Sequence, residues 1–119
     1  MKQIIKMALN GREHTVELND SAMAKQFLEL GAFDTSVSEY AGSHYWGPIP
    51  HKLSAQEELK TSRPTKGGVY YADHLTALAI YFEDPGSIAP YVVYHLGDVP
   101  EDMSHLHFAA GRVALKIGR

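Results

Sequence analysis

For most of this chain, hydrophobic and polar positions alternate with period two, the spacing of strands that bury one face. Residues 3–18 read as a hairpin in which Ile5, Met7 and Leu9 alternate with Ile4, Lys6 and Ala8. Asn10-Gly11 supplies two residues that tolerate positive φ, as a type I′ turn requires. On the return strand His14, Val16 and Leu18 share a face opposite Glu13, Thr15 and Glu17. The period then lengthens. Met23, Phe27 and Leu30, with Ala24 and Leu28 beside them, form a helical stripe between the candidate caps Asn19-Asp20-Ser21 and Gly31. A helix of about ten residues cannot stand alone, so this stripe must dock on the sheet.

Alternation resumes at residues 32–40, where Phe33, Thr35 and Val37 oppose Asp34, Ser36 and Ser38. Gly42, Gly47, Pro48 and Pro50 then predict a break in regular structure. Residues 51–66 are the most polar stretch, a surface loop with a helical turn at 54–59, where Ser54 and Glu57 fit a capping box. Residues 65–85 carry the most information: TKGGVYYADHLTALAIYFEDP reads as turn, strand, two-residue reversal at Asp73-His74, strand at 75–82 and turn at Asp84-Pro85-Gly86. The second of these strands is apolar on both faces and needs covering on two sides. Further strands are expected at 91–96 and, from the alternation of Val113, Leu115 and Ile117, at the end of the chain.

Length and composition narrow the function. The chain has 119 residues, reads as one domain and can bury roughly two-thirds of its unfolded surface. It has no cysteine, which excludes disulfides, thiolate metal sites and thiol nucleophiles and fits a cytoplasmic protein. A net charge of −3 argues against a nucleic-acid partner, and no 18-residue apolar run exists to cross a membrane. The opening MKQIIKMALNG has some look of a signal peptide, but Lys6 interrupts its apolar run and it reads better as a strand. No phosphate loop, nucleophile elbow or HExxH is present.

The order of these features resembles the small cyclophilin-like β-barrel proteins of bacteria and archaea. An opening hairpin is followed by the short helix AMAKQFLEL, then by EYAGSHYWGPIP, where members often carry a tyrosine or Trp-Gly and then a proline. The block KGGVYYADHLTALAIYFEDP is similar to the family's glycine-led hairpin, and the short closing strand bears a glycine and an arginine. Relatives often have Gly-Asp where this chain has Gly67-Gly68, and residues 99–110, with two histidines, look like an insertion. The resemblance implies a mainly β fold, a closed barrel of about eight strands with one short helix over an opening. It brings no established activity. True cyclophilins are prolyl isomerases whose site resembles Phe-His-Arg followed by Phe-x-x-Gln-Gly-Gly-Asp; that string is absent, so none of their catalytic residues carries over.

The aromatic and proline-rich run at 40–50 is the expected binding surface. Tyr45 and Trp46 offer flat area with a polar tip, Gly47 lets a ligand approach the backbone, and Pro48 stiffens the segment. With His51, and Arg112 as an anion or carbonyl partner, they form the expected ligand site; the plainer reading has Trp46 plugging one end of the barrel. Glu39, His44 and His51 are candidates for acid–base work. His105-Leu106-His107 on one strand face would suit a metal, but no Glu follows where a cupin-type site would have one, and surface histidines are the ordinary reading. The expectation is therefore a binder of a small molecule or peptide, with no metal and no cofactor. A divergent prolyl isomerase, another small-molecule enzyme, and an oligomeric subunit using residues 91–96 as an edge strand are the alternatives.

Overall fold

Asn10 and Gly11 take φ of 50° and 82°, the left-handed pair a type I′ turn needs. Strand β1 (Gln3–Leu9) therefore folds straight back into β2 (Arg12–Leu18), with Leu9 opposite Arg12. The computed structural model describes residues 3–109 and 111–118. After β2 the Ser21 hydroxyl accepts a hydrogen bond from the Ala24 amide at 3.0 Å and caps helix α1 (Ala22–Glu29). Such a cap contributes about 1 kcal/mol. Gly31, at φ 74°, ends the helix, and Met23, Ala24 and Phe27 pack into the barrel core.

The remaining strands are β3 (Phe33–Tyr40), β4 (His44–Pro48), β5 (Lys60–Thr61), β6 (Gly68–Ala72), β7 (Ala77–Tyr81), β8 (Val93–Asp98) and β9 (Arg112–Gly118). Eight of them form a closed antiparallel barrel in the order β2-β1-β9-β3-β4-β7-β6-β8, with β8 returning to β2. The two-residue β5 lies outside the ring against β8. The inward positions of each strand fill the interior with Met7, Leu9, Tyr45, Tyr71, Leu78 and Leu115 among the fully buried side chains. A cavity-forming change at such a position costs about 2–5 kcal/mol.

The seam between β2 and β8 is short, with only Glu17 opposite Asp98 and Leu18 opposite Gly97. Beyond it the segment 99–109 runs alongside β2 and sinks Val99, Met103 and Leu106 into the core. The Val99 amide donates to the Gly67 carbonyl at 2.8 Å, and the Glu101 carboxylate accepts from the Thr15 amide at 2.8 Å. A filler for the seam explains why this stretch departs from the strand pattern around it. Its last expected residue, Ala110, lies outside the described residues, as do Met1, Lys2 and Arg119 at the ends.

Several expected elements differ. The break expected at Gly47 and Pro48 is strand β4. Gly47 is required there because a Cβ would come 2.3 Å from the Ser36 carbonyl oxygen on β3. Pro48 is tolerated as the last strand residue, where a missing N–H costs little. The β6–β7 turn spans four residues, since Ala72 pairs with Ala77, and Thr76 rather than His74 takes the left-handed conformation at φ 49°. The capping box at Ser54 and Glu57 does not form. A 3-10 turn (Glu57–Leu59) follows Gln56 without a side-chain cap, and the Ser54 amide donates to Gln26 on α1 instead. Residues 91–96 offer no free edge, because β8 begins at Val93 and pairs with β6 on one side and with β5 and β2 on the other. Finally, 105–107 is no strand: Ser104–Phe108 is a 3-10 turn that sends the two imidazoles to different partners.

Candidate functional site

All five residues of β7 are buried, three of them on the outside of the barrel. Leu78 and Ile80 point inward; Ala77, Ala79 and Tyr81 belong to a second apolar cluster with Tyr70, Ala72 and Val93, against which Trp46 and Ile88 pack. The cover for this outer face is the segment 83–92 that joins β7 to β8. Its Gly86 carries φ 78°, but the turn expected at Asp84-Pro85-Gly86 lies further on, at Ala89-Pro90, where the Tyr91 amide donates to the Ile88 carbonyl at 3.0 Å; the Ile88 amide is tied to the Ser62 carbonyl at 2.7 Å. The cover is incomplete. It leaves a cleft of about 350 Å³ on the outer face, within the size range of small-ligand sites.

Strand register builds this cleft. Ala72, Ala79 and Val93 form a floor of small side chains. Trp46 stands opposite Ala79 and His44 opposite Tyr81, so one wall consists of Trp46, His44 and Tyr81 with Tyr40 at its lip. The other wall comes from loops: His74 and Leu75 in the β6–β7 turn, and Ile88 and Tyr91 in the cover. The His74 and Tyr91 rings stack at 5.5 Å and 24°, the His44 and Tyr81 rings at 4.5 Å and 26°. Tyr40 and Tyr91 are each 61% exposed, so an aromatic rim stands open to solvent. Among the lining residues there is no Lys, Arg, Asp or Glu.

Two polar groups of the cleft, His44 and Tyr81, are pushed toward their neutral forms. Burial pushes the His44 imidazole below its usual pKa, against the opposing pull of Glu39. Its Nδ1 lies 3.0 Å from the Ser43 hydroxyl. With that hydroxyl's hydrogen directed at the Tyr40 carbonyl 3.5 Å away, Oγ accepts from Nδ1–H and Nε2 is left as an acceptor. Burial, and secondarily Tyr70, pushes the Tyr81 phenol up to about 12, so it remains a protonated donor. Neither group carries charge at neutral pH. The cleft is an apolar, ring-lined site with a neutral imidazole and phenols for orientation.

The sequence-predicted residues divide. Trp46 lies in the cleft, facing outward, and plugs no barrel end. Its neighbour Tyr45 points the other way by strand alternation; it is fully buried and packs near Phe82, 5.7 Å between ring centroids. Pro48 is exposed at the end of β4 and His51 is exposed beyond it, both outside the cleft lining. Arg112 also stands outside the lining, but it shares a cross-strand row with Trp46: Arg112 faces Ser38, and Ser38 faces Trp46. Two strand spacings, about 10 Å, separate their backbones. The Glu39 carboxylate caps the β3–β4 turn by accepting from the Gly42 amide and lies near enough to His44 for its charge to act there, whereas His51 is exposed beyond the end of β4. Sequence reasoning missed His74, Leu75, Ile88 and Tyr91. The signal that points to them is the two-faced burial of β7, which demands a second layer outside the barrel.

The chain matches the Cyclophilin-like family over residues 7–118. The chain belongs to the Cyclophilin-like family. No curated protein matches it. Among solved structures it is similar to a hypothetical protein of Archaeoglobus fulgidus determined in solution, with a TM-score of 0.73 and 12% identity over 99% of this chain and 95% of the other. At that identity the likeness shows the fold. The Cyclophilin-like barrel is thus supported by both comparisons, and its outer cleft is the feature on which a function can be argued. Among the described residues no group of three or more His, Asp or Glu side chains is placed to hold a metal ion.

Proposed function

We propose that this Cyclophilin-like protein binds an uncharged, flat or ring-shaped group, either a small molecule or a peptide side chain, in the cleft beneath Trp46. One observation carries the reading: six of the lining residues are ring side chains, and none of the lining residues is an acid, lysine or arginine. Such a surface gains from burying apolar area and from ring–ring contact, and it offers nothing to neutralise a phosphate or carboxylate placed on its floor. Arg112 supplies a cation along the same row, to which a carbonyl or anionic tail reaching past the rim would bind. The cysteine-free sequence suits work in the cytoplasm.

Because Trp46 is the single tryptophan, its indole N–H resonance reports the cleft without ambiguity. Benzamide, N-acetylphenylalanine amide and N-acetylproline amide are titrated as probes. The reading expects at least one to shift that resonance together with those of Tyr91 and His74, and Ala79→Phe, which fills the floor, to abolish the shift. Probes that leave Trp46 unmoved, or that bind the Ala79→Phe protein equally well, overturn it.

The position of Arg112 favours a second reading, a divergent prolyl isomerase, because that chemistry wants a donor beside an apolar proline-sized site. Exchange NMR on a short X-Pro peptide separates the two. An isomerase accelerates exchange and loses the acceleration in Arg112→Ala; a binder shows the Trp46 shift with exchange at its background rate.

A further inference from the structure

His14 occupies the inward face of β2 in line with Val16 and Leu18, a position where an apolar residue is the ordinary occupant. It is only 4% exposed. What meets it is His105, carried by the segment 99–109 that fills the seam. The two Nε2 atoms lie 2.8 Å apart, the ring planes are within 3°, and the centroids are 5.1 Å apart. Stacked rings keep their atoms about 3.5–4.0 Å apart, so rings whose nitrogens approach to 2.8 Å lie tip to tip in one plane. Their lone-pair directions face each other along one line. That line has room for a hydrogen and not for a metal ion, which needs about 2.0–2.1 Å to each nitrogen.

An in-plane N–H···N bond places a limit on protons. One nitrogen must carry the hydrogen and the other must offer its lone pair. The neutral pair meets this condition, and so does the pair with one extra proton. With two extra protons both facing nitrogens carry hydrogens, the bond is lost, and two positive rings confront each other.

The surrounding charges differ for the two rings. The Glu101 carboxylate lies 3.6 Å from Nδ1 of His14, and that buried nitrogen has no closer hydrogen-bond partner. A carboxylate thus faces His14 on the side of its ring away from His105. His105 is disfavoured as a proton site: burial, then Arg12 on β2, then His14 itself hold it below the usual imidazole range, against the pull of Asp102. Asp102 is held by Ser104 and has Lys66 nearby. At the far end of the turn His107 lies 3.2 Å from the Glu83 carboxylate.

We propose that His14 and His105 form an acid-released latch, in which one shared hydrogen holds the segment 99–109 in the β2–β8 seam and a second extra proton frees it. Release uncovers apolar surface. Val99 and Met103 leave the core, and the hollow of about 280 Å³ that they wall with Phe82 and Lys66 opens. The latch stands apart from the outer cleft and does not depend on the function proposed for it.

The test uses the full chain labelled with nitrogen-15. At pH 7.5 a scalar coupling across the hydrogen bond is expected between Nε2 of His14 and Nε2 of His105, absent at pH 4.5. Hydrogen exchange, corrected for its intrinsic pH dependence, is read at the Leu106 and Ala109 amides, which donate within the turn at 3.0 and 3.3 Å. Their protection is expected to fall by about tenfold or more between the two pH values, while amides of α1 and β7 hold theirs. In His105→Gln, which cannot take the second proton, this difference should vanish. No coupling at pH 7.5, equal protection at both pH values, or an undiminished fall in His105→Gln each overturns the proposal. The coupling is measured on the unmodified protein, so the test stands even where the variant folds poorly.

Discussion

Gly97 on β8 lies so close to Glu17 on β2 that a Cβ built on it would meet the Glu17 carbonyl oxygen at 2.5 Å and the Leu18 Cα at 3.0 Å. These are backbone atoms at the short seam that closes the barrel, and they have little freedom to retreat. Gly97→Ala is therefore expected to cost about 1–3 kcal/mol in urea unfolding. Gly111→Ala, where nothing lies within 4 Å, should stay within about 0.5 kcal/mol of the parent. Equal stabilities for the two variants would mean that the seam yields more easily than its geometry indicates.

Adjacent residues on β4 should separate stability from binding. Tyr45 is fully buried inside the barrel and Trp46 is part of the cleft wall outside it. Tyr45→Ala should cost about 3–5 kcal/mol, as loss of a large core ring does, provided that enough folded protein remains to measure. Trp46→Phe should leave the urea midpoint nearly unchanged while weakening whichever probe shifts the indole of the parent. A Trp46 variant as unstable as the Tyr45 variant would place the tryptophan in the structural core after all.

Acid should weaken both the fold and the cleft through His44. Its folded pKa lies below the ordinary value, with burial as the main cause and Glu39 opposing. The unfolded chain then binds more protons in the interval between the folded value and about 6.5. Stability from this source is complete above pH 6.5 and is lost as pH falls through that interval. His105 is lowered as well and adds a slope of the same sign. Urea midpoints measured from pH 7.5 down to 5 should fall less steeply for His44→Asn than for the parent. An unchanged slope would show that His44 titrates alike in both states.

Much of the barrel was legible because local residues impose their own backbone demands. Asn10-Gly11 dictates a tight turn wherever it sits, Ser21 can cap only a helix that starts beside it, and the alternation around Val113 needs no partner to be recognised. Strand β4 was hidden for the opposite reason. Gly47 looks like a breaker until Ser36 on the neighbouring strand shows why no side chain fits there. His14 gave no sign of its partner, since His105 lies 91 positions away and no spacing rule links them. Half of the cleft was foreseeable in kind, because Trp46 stood out and β7 demanded an outer layer. The residues of that layer were not, because the cover 83–92 has no periodicity of its own.

The two sides of β7 live under different constraints. Inward, Leu78 and Ile80 answer to every strand of the ring, so any change there must satisfy neighbours on all sides at once. Outward, Ala77, Ala79 and Tyr81 share a small cluster with Tyr70, Ala72, Val93 and Trp46, and above it lies one connecting segment, entering through Ile88, which can change in length or composition without altering a barrel register. The shape and lining of the outer cleft can therefore drift while the architecture stays put. A laboratory library confined to residues 83–92, with the ring untouched, would vary one cleft wall on a scaffold that keeps folding.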